Sequence, residues 1–374
     1  MSKKCDQNEQ FCRGQSLDRR DLLRYAGALA ATGVTGMPLP ANAAPAAIEV
    51  LMANVCFNGP LRGIVEREAN VVINDGPFQS STDVVSKLTA PGGTSRYDMM
   101  ASIVGFSRRP AMGERAGAEK VMPLDLTKIP NVQYVANTFK DDFVVRDGKT
   151  YLIPIFFGFD SVIYNRDVVR DVDVDTWGLI FDERFAGKIG WYDVAHQMFL
   201  AGGLFLGHKE PEKMDRNDLV EVTKFLISKK KLVRTTYRTF SECVNLMASG
   251  EIVVSYAAVP IRSELQQKGY NVTNGWPREG VLSFSQNAYI PKDSKKSDIV
   301  HSVINTMLGK EYASNLTKAS GYMACSTLGT AELTAEERRD SGYGIMSGET
   351  KFYPFNFPDN LSEWIEAWSR VKSA

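Results

Sequence analysis

Ile48-Glu49-Val50-Leu51-Met52 begins the stretch that decides the fold. It reads as a short strand, and Leu61 to Ala69 after it has the apolar spacing of an amphipathic helix. Val71-Val72-Ile73 is a second strand, Thr82 to Leu88 a second helix, and Tyr97 to Val104 a third strand. This β-α-β-α-β order predicts a mainly parallel sheet. Parallel neighbours need crossover connections, and the crossover helices cover both faces of the sheet. Ligands of such sheets bind beyond the carboxyl ends of the strands.

Toward the C-terminus the texture changes at about residue 145. Asp147-Gly148-Lys149 is a turn into Tyr151-Leu152-Ile153-Pro154-Ile155, then Phe156-Phe157-Gly158-Phe159 and a strand from Ser161 to Tyr164. These strands are expected to make a first crossing between two lobes. A second α/β unit follows. It has a helical turn at Trp177 to Phe185, strands at Lys188 to Trp191 and Ile252 to Tyr256, and helices at Ala195 to Leu206, Leu219 to Ser228, Phe240 to Ala248 and Ile261 to Lys268. Val281 to Ile290 is a strand that crosses back. Helices at Ile299 to Leu308, Tyr312 to Ser320 and Leu361 to Val371 close the chain. Two α/β units joined by extended crossings make a two-lobed α/β clamshell, which closes when a ligand bridges its faces. The expected division is 1–43 for an export signal, 44–157 for the first part of lobe 1, 158–282 for lobe 2, and 283–374 for the return to lobe 1 with the C-terminal helices.

The 374 residues are enough for two domains, and Lys+Arg and Asp+Glu both number 44. That balance gives no reason to expect nucleic acid or a membrane surface as partner. Cys5, Cys12, Cys56, Cys243 and Cys325 form no CxxC pair and no Cys/His set with zinc spacing, so no metal and no cofactor is expected. At the N-terminus, Arg19-Arg20 precedes Leu22-Leu23, a mildly apolar run from Tyr25 to Met37, and the small residues Ala41-Asn42-Ala43. This is a secretory signal of the twin-arginine type, with cleavage near Ala43-Ala44 and a periplasmic destination. The run is too short to span a bilayer. Cleavage leaves 38 basic and 40 acidic residues and three cysteines, so at most one disulfide can form, with no pair favoured.

Six segments resemble the spermidine/putrescine-binding branch of the periplasmic solute-binding proteins, in the order that family has them. They are Gly148-Lys149-Thr150-Tyr151-Leu152-Ile153-Pro154, Tyr164-Asn165-Arg166-Asp167, Trp177 through Phe185-Ala186-Gly187-Lys188-Ile189, Ser249-Gly250-Glu251-Ile252, Pro277-Arg278-Glu279-Gly280 and Tyr289-Ile290-Pro291-Lys292. Gly321-Tyr322 follows a helix as in that family. The resemblance spans residues 48–371. It implies a type II periplasmic-binding fold, a small ligand, and a partner in the permease of an ABC importer. A monomer is expected.

An exported enzyme is the alternative of another class. Against it, the chain has no GxGxxG after a strand, no Walker loop, no GxSxG elbow and no HExxH, and its only histidines are His196, His208 and His301. Strand ends and crossings place the ligand among Phe57, Phe106, Phe159, Asp160, His196, Gln197, Tyr256, Arg262, Phe284 and Gln286, although each aromatic also reads as core.

The resemblance further implies carboxylates for the two ends of a polyamine, and here the chain departs from its family. Asp193-Val194-Ala195-His196-Gln197 keeps only the first acid of an acidic run. The family's aromatic and acid in the crossing strand fall on Phe284 and Gln286, and its tryptophan falls on Ala258. Asp160 reads either as an amine anchor or as a hinge hydrogen-bond acceptor. Arg262, near a helix start, reads either as an anion anchor or as a solvated helix arginine. The expected ligand is therefore small and polar with at most one amine, zwitterionic or anionic; a genuine polyamine receptor is the alternative. Export is testable directly. Replacing Arg19-Arg20 with Lys-Lys should leave unprocessed precursor in the cytoplasm, because a receptor for that motif reads guanidinium geometry as well as charge. Unchanged processing in a cell-fractionation blot would refute the twin-arginine reading.

Overall fold

The computed structural model describes residues 44–356 and 358–374, so the export signal expected in residues 1–43, with Cys5 and Cys12, lies outside the described residues. The β-α-β-α-β order is present as β1 (Ala46–Leu51), α1 (Leu61–Ala69), β2 (Val71–Asp75), α2 (Ser81–Thr89) and β3 (Met99–Ile103). β1 pairs in parallel with both β2 and β3. Local chemistry marks the boundaries. The Ser80 hydroxyl accepts the Asp83 amide to start α2, and Asn70 ends α1 in the left-handed region. β3 stops one residue before the expected end, and α3 (Val104–Met112) starts there. Gly105 and Pro110 both disfavour helix locally, which hid α3 from a propensity reading.

The chain continues through β4 (Val144–Arg146), β5 (Lys149–Asn165), β6 (Ile189–Tyr192), α4 (Ala195–Leu206), α5 (Arg216–Lys229), β7 (Val233–Tyr237), α6 (Phe240–Ala248), β8 (Val254–Ala258), α7 (Val259–Gln267), β9 (Val272–Asn274) and β10 (Val281–Tyr289). It closes with α8 (Ser297–Met307), α9 (Lys310–Ser320), β11 (Met323–Ala324), α10 (Ala335–Asp340), α11 (Tyr343–Ser347), β12 (Phe352–Pro354) and α12 (Leu361–Ser373). β8 lies two residues beyond its expected position, because Gly250 in the left-handed region and the Val253 amide bonded to Lys188 lengthen the entry to the strand. β7 was not foreseen: Val233-Arg234-Thr235-Thr236-Tyr237 is β-branched but largely half-buried, as an edge strand beside β6.

The strands form one sheet in the order β2-β1-β3-β10-β5-β8-β6-β7. β1, β2 and β3 run parallel to one another, as do β6, β7 and β8. Between these halves lies an antiparallel ribbon of β5 and β10, the two crossings expected from the sequence. β5 is one strand rather than several pieces. Its register against β10 passes from Gln286↔Phe156 to Asn287↔Pro154, so Ile155 is bulged, and the proline, which has no amide to donate, sits at that irregularity.

Neighbouring residues on one strand feed different cores, as period-2 geometry requires. Val50 faces the core built by α1, α8 and α9, whereas Leu51 faces one with Val84 and Leu88 of α2. Val162 faces the core of α4, α5 and α12, whereas Ile163 faces one with Cys243 of α6 and Leu265 of α7. Both halves of the sheet are therefore covered on both faces. The last helix belongs to the second half. Trp364 packs on Phe199 at 5.7 Å between ring centres, and Trp368 packs on Trp191 at 6.3 Å. The Trp368 indole also donates to Asp193 Oδ1 at 2.8 Å. Cys56, Cys243 and Cys325 are all buried and free.

Gly158, in the middle of β5, is fixed by close packing rather than by its own dihedrals. A Cβ there would lie 2.4 Å from Tyr322 Cε1 and 2.8 Å from Phe284 Cζ. Gly158→Ala should therefore cost about 1–3 kcal/mol through overpacking, read as a lower denaturation midpoint with unchanged slope. An unaltered midpoint would show that the two rings move aside freely.

Candidate functional site

Residues that face each other across the β5–β10 ribbon share a side of the sheet. Gly158 faces Phe284, Phe156 faces Gln286, and Asp160 faces Leu282 on one flank and Ala258 of β8 on the other. Val162 faces Tyr256. Asp160, Tyr256, Phe284 and Gln286, four of the residues expected at the site, thus share one side. Tyr322 covers the gap left by Gly158, 5.7 Å from the Phe156 ring and 6.0 Å from the Phe284 ring.

Asp160 is 4% exposed. The Tyr256 hydroxyl donates to its Oδ2 at 2.6 Å, and among the described residues no cation pairs with it. Burial pushes the carboxyl up to about 7, against the Tyr256 hydrogen bond, which favours the ionised form. An aromatic stack holds that hydroxyl in place. Tyr256 lies 5.5 Å from Trp177 and 6.0 Å from Tyr192, and the Tyr237 hydroxyl donates to the Tyr256 carbonyl at 2.6 Å. Burial, with the Asp160 charge adding to it, pushes the Tyr192 phenol up to about 12, so these phenols stay neutral donors.

The other expected residues are dispersed. Phe159 alternates to the opposite side of β5 and packs on Trp276 at 4.9 Å. Phe57 is buried beneath the Arg62 guanidinium, 5.2 Å from its ring centre. Phe106 is half-buried on α3. His196 is held among Phe355, Trp364 and the Asn356 carbonyl, 2.8 Å from its Nε2, and burial keeps its imidazole down at about 4, neutral at any physiological pH. Gln197 is half-buried with Oε1 unbonded. Arg262, on the first turn of α7, is 4% exposed, and its Nε and Nη1 have no hydrogen-bond partner among the described residues. Burial lowers its guanidinium to about 10 while the Asp340 charge opposes that shift, so it remains a cation. It lines a cavity of about 780 Å³ with Ser263, Gly321, Asp340 and Ser341. A Cβ on Gly321 would stand 3.4 Å from Arg262 Nη2, so the Gly321-Tyr322 pair lies between Arg262 and the Gly158 gap.

Orphaned polar atoms gather at these positions. Of seven buried side-chain polar atoms assigned no hydrogen bond among the described residues, four belong to Gln197, Arg262 and Gln286. Such atoms are uncommon in folded proteins, and each one calls for an explanation.

Residue pattern pointed to no site role for Tyr192 or Tyr322, nor for the segment around Phe355. That segment faces a cavity of about 530 Å³, which opens where β10 changes its edge partner from β12 to β3. Phe284 stacks on Phe355 there, 5.6 Å apart. Gly321-Tyr322 was visible as a motif; Phe355 carried no signal beyond being an aromatic near a proline. Asp193 is occupied elsewhere. Besides Trp368 it binds Lys372 Nζ at 2.8 Å and Arg238 Nε at 3.2 Å, and these bonds outweigh its burial and hold the carboxyl low.

Comparison with known proteins fits this geometry. The chain is 23% identical over 330 residues to the putrescine-binding periplasmic protein PotF of Escherichia coli (strain K12), covering 82% of this chain and 86% of that protein. Its structure resembles the spermidine/putrescine ABC transporter substrate-binding protein PotD of Streptococcus pneumoniae, with a TM-score of 0.74 at 18% identity over 88% of this chain and 99% of that one. It also resembles the Atu4243–GABA receptor, with a TM-score of 0.67 at 16% identity over 88% and 97%. The two-lobed α/β clamshell is thus the fold of periplasmic-binding-protein-like receptors. The model for bacterial extracellular solute-binding proteins matches residues 68–336, and the chain belongs to that family.

Proposed function

We propose that this chain is a non-catalytic, exported receptor that binds one small zwitterion, with its amine on Asp160 and its anionic group on Arg262, and delivers it to an ABC importer. The supporting observation is the state of these two groups: a buried carboxylate without a cation, and a buried guanidinium with two donors unused. Each is costly alone, and a ligand bearing both charges relieves both costs. Tyr322 and Phe284 offer ring faces to the ligand's apolar part.

A diamine is disfavoured on the same grounds. The positions where the polyamine receptors carry further anchors hold Gln286 and Ala258 here, and Asp193 is committed to α12. One relative of this fold is by name a receptor for GABA, a molecule with one amine and one carboxylate. The reading includes passage to the periplasm by the signal in residues 1–43, action as a monomer, and closure of the two lobes on the ligand. No helix among the described residues is long and apolar enough to cross a membrane.

Calorimetric titration with ω-amino acids, α-amino acids, organic acids, phosphonates and diamines tests the ligand class. A zwitterion should bind, and Arg262→Gln should weaken it by about 1.5–3 kcal/mol, roughly ten- to a hundredfold. Submicromolar putrescine or spermidine binding that Arg262→Gln leaves intact would reject the zwitterion and restore a polyamine cargo. Multiple turnovers of any candidate substrate would reject the receptor role itself.

The pH dependence follows from Asp160. An ammonium binds the ionised form, so below a carboxyl pKa of about 7 affinity should fall by up to about tenfold per pH unit, and Asp160→Asn should abolish that slope. Stability shows the converse. The folded carboxyl holds its proton more tightly than the unfolded one, so ionising Asp160 costs stability as pH rises above about 4, and the cost is complete above about 7. Asp160→Asn keeps an acceptor for Tyr256 and should raise the ligand-free melting temperature at pH 8 but not at pH 4. Equal shifts at both values would show that Asp160 is not the buried acid inferred here.

A further inference from the structure

Two of the three histidines are used up by the fold. His196 Nε2 meets the Asn356 carbonyl at 2.8 Å; His301 Nε2 accepts the Asp125 amide at 2.9 Å, and its Nδ1 meets the Ser297 carbonyl at 2.7 Å. Among the described residues, His208 is the histidine with no hydrogen bond to either ring nitrogen. Its Nδ1 stands 3.9 Å from Asp218 Oδ1 and its Nε2 3.6 Å from Glu221 Oε2. Those gaps are too long for hydrogen bonds. They are close to the roughly 3.4 Å that separates two ligand atoms each about 2.0–2.2 Å from one tetrahedral zinc ion.

We propose that His208, Asp218 and Glu221 bind one divalent transition-metal ion, zinc by preference, at the corner between α4 and α5. One ligand atom from each residue lies within 4.8 Å of the others. Two of the three are already positioned. Gly207 ends α4 in the left-handed region, and the His208 amide then bonds to the Gly203 carbonyl at 3.0 Å, fixing the backbone from which the imidazole projects. Asp218 is part of a capping box. Its Oδ2 accepts the Asp215 amide at 3.1 Å, which leaves Oδ1 to face His208. Glu221 follows three residues later on α5, hence on the same face of the helix. The imidazole is 18% exposed, screened enough to be held and open enough for an ion to enter.

The donor set selects the ion. One imidazole and two carboxylates suit zinc with a fourth position left to water, whereas calcium and magnesium favour all-oxygen shells of six or more ligands. The ion would also neutralise two like charges one turn apart on α5. This site shares no residue with the solute site, so it stands or falls independently of the ligand proposed above.

Calorimetric titration of the chelator-stripped full-length chain with zinc chloride tests the proposal. One equivalent should bind that His208→Ala removes and Glu221→Gln weakens by at least about tenfold, while magnesium chloride at the same concentrations gives no binding heat. Cobalt(II) should give visible d–d absorption that His208→Ala abolishes. Circular dichroism of each variant checks that the fold is kept. Zinc binding unchanged in His208→Ala, or no zinc equivalent in the unmutated chain, overturns the site and leaves the trio a surface ion-pair cluster.

Discussion

One charge governs the centre of this molecule. From Thr150 to Ile163 every residue of β5 is buried, and Asp160 is the only ionisable acid or base in that run apart from the phenol of Tyr151. A strand enclosed to this extent must pair along both edges, which is why β10 and then β9 accompany it on one side, β11 and then β8 on the other, and β4 pairs with its start. A carboxylate within it is tolerable because the Tyr256 hydroxyl reaches it and because it can take up a proton. The ribbon therefore joins the two halves and at the same time keeps an unneutralised acid at their junction.

If the proposed zwitterion is the ligand, that arrangement would also account for selectivity. Asp160 and Arg262 share no hydrogen bond, and the Gly321-Tyr322 pair lies between the surroundings of the two. In the proposed complex, a solute with only one charge would leave one of these two groups without its ligand partner, and a solute with two positive charges would meet a guanidinium. Discrimination would then rest largely on what the wrong solute fails to satisfy, the kind of penalty that separates close analogues most sharply. The orphaned amide oxygens of Gln197 and Gln286 would add the same demand in neutral form.

The architecture was legible from residue pattern to a large extent. α1, α4 and α6 have the limits that apolar spacing predicts, and both crossings of the ribbon were visible as long apolar runs. What escaped depends on tertiary context. α3 contains Gly105 and Pro110, so its helix is stabilised by its surroundings rather than by propensity. β7 is an edge strand whose side chains are mostly half-buried, and it lacks the strict alternation that marks a strand. At the site, alternation along β5 separates Phe159 from Asp160, and only pairing with β10 tells which of them joins Phe284. The commitment of Asp193 to α12, some 175 positions away in the chain, has no local trace at all.

The buried thiols have a consequence of their own. Cys56, Cys243 and Cys325 are free, and burial raises all three above the ordinary thiol range, Cys243 to about 12. The cores of the described residues therefore hold no disulfide and need no oxidant to form. Nucleophilic attack requires thiolate, so alkylating reagents reach these sulfurs only when the chain opens. Cys56 and Cys325 sit in one core and Cys243 in another. The three form a built-in set of exchange-type reporters: the modification rate at each position measures how often its own core comes apart, and a difference between them would show whether the two halves of the sheet unfold together or in sequence.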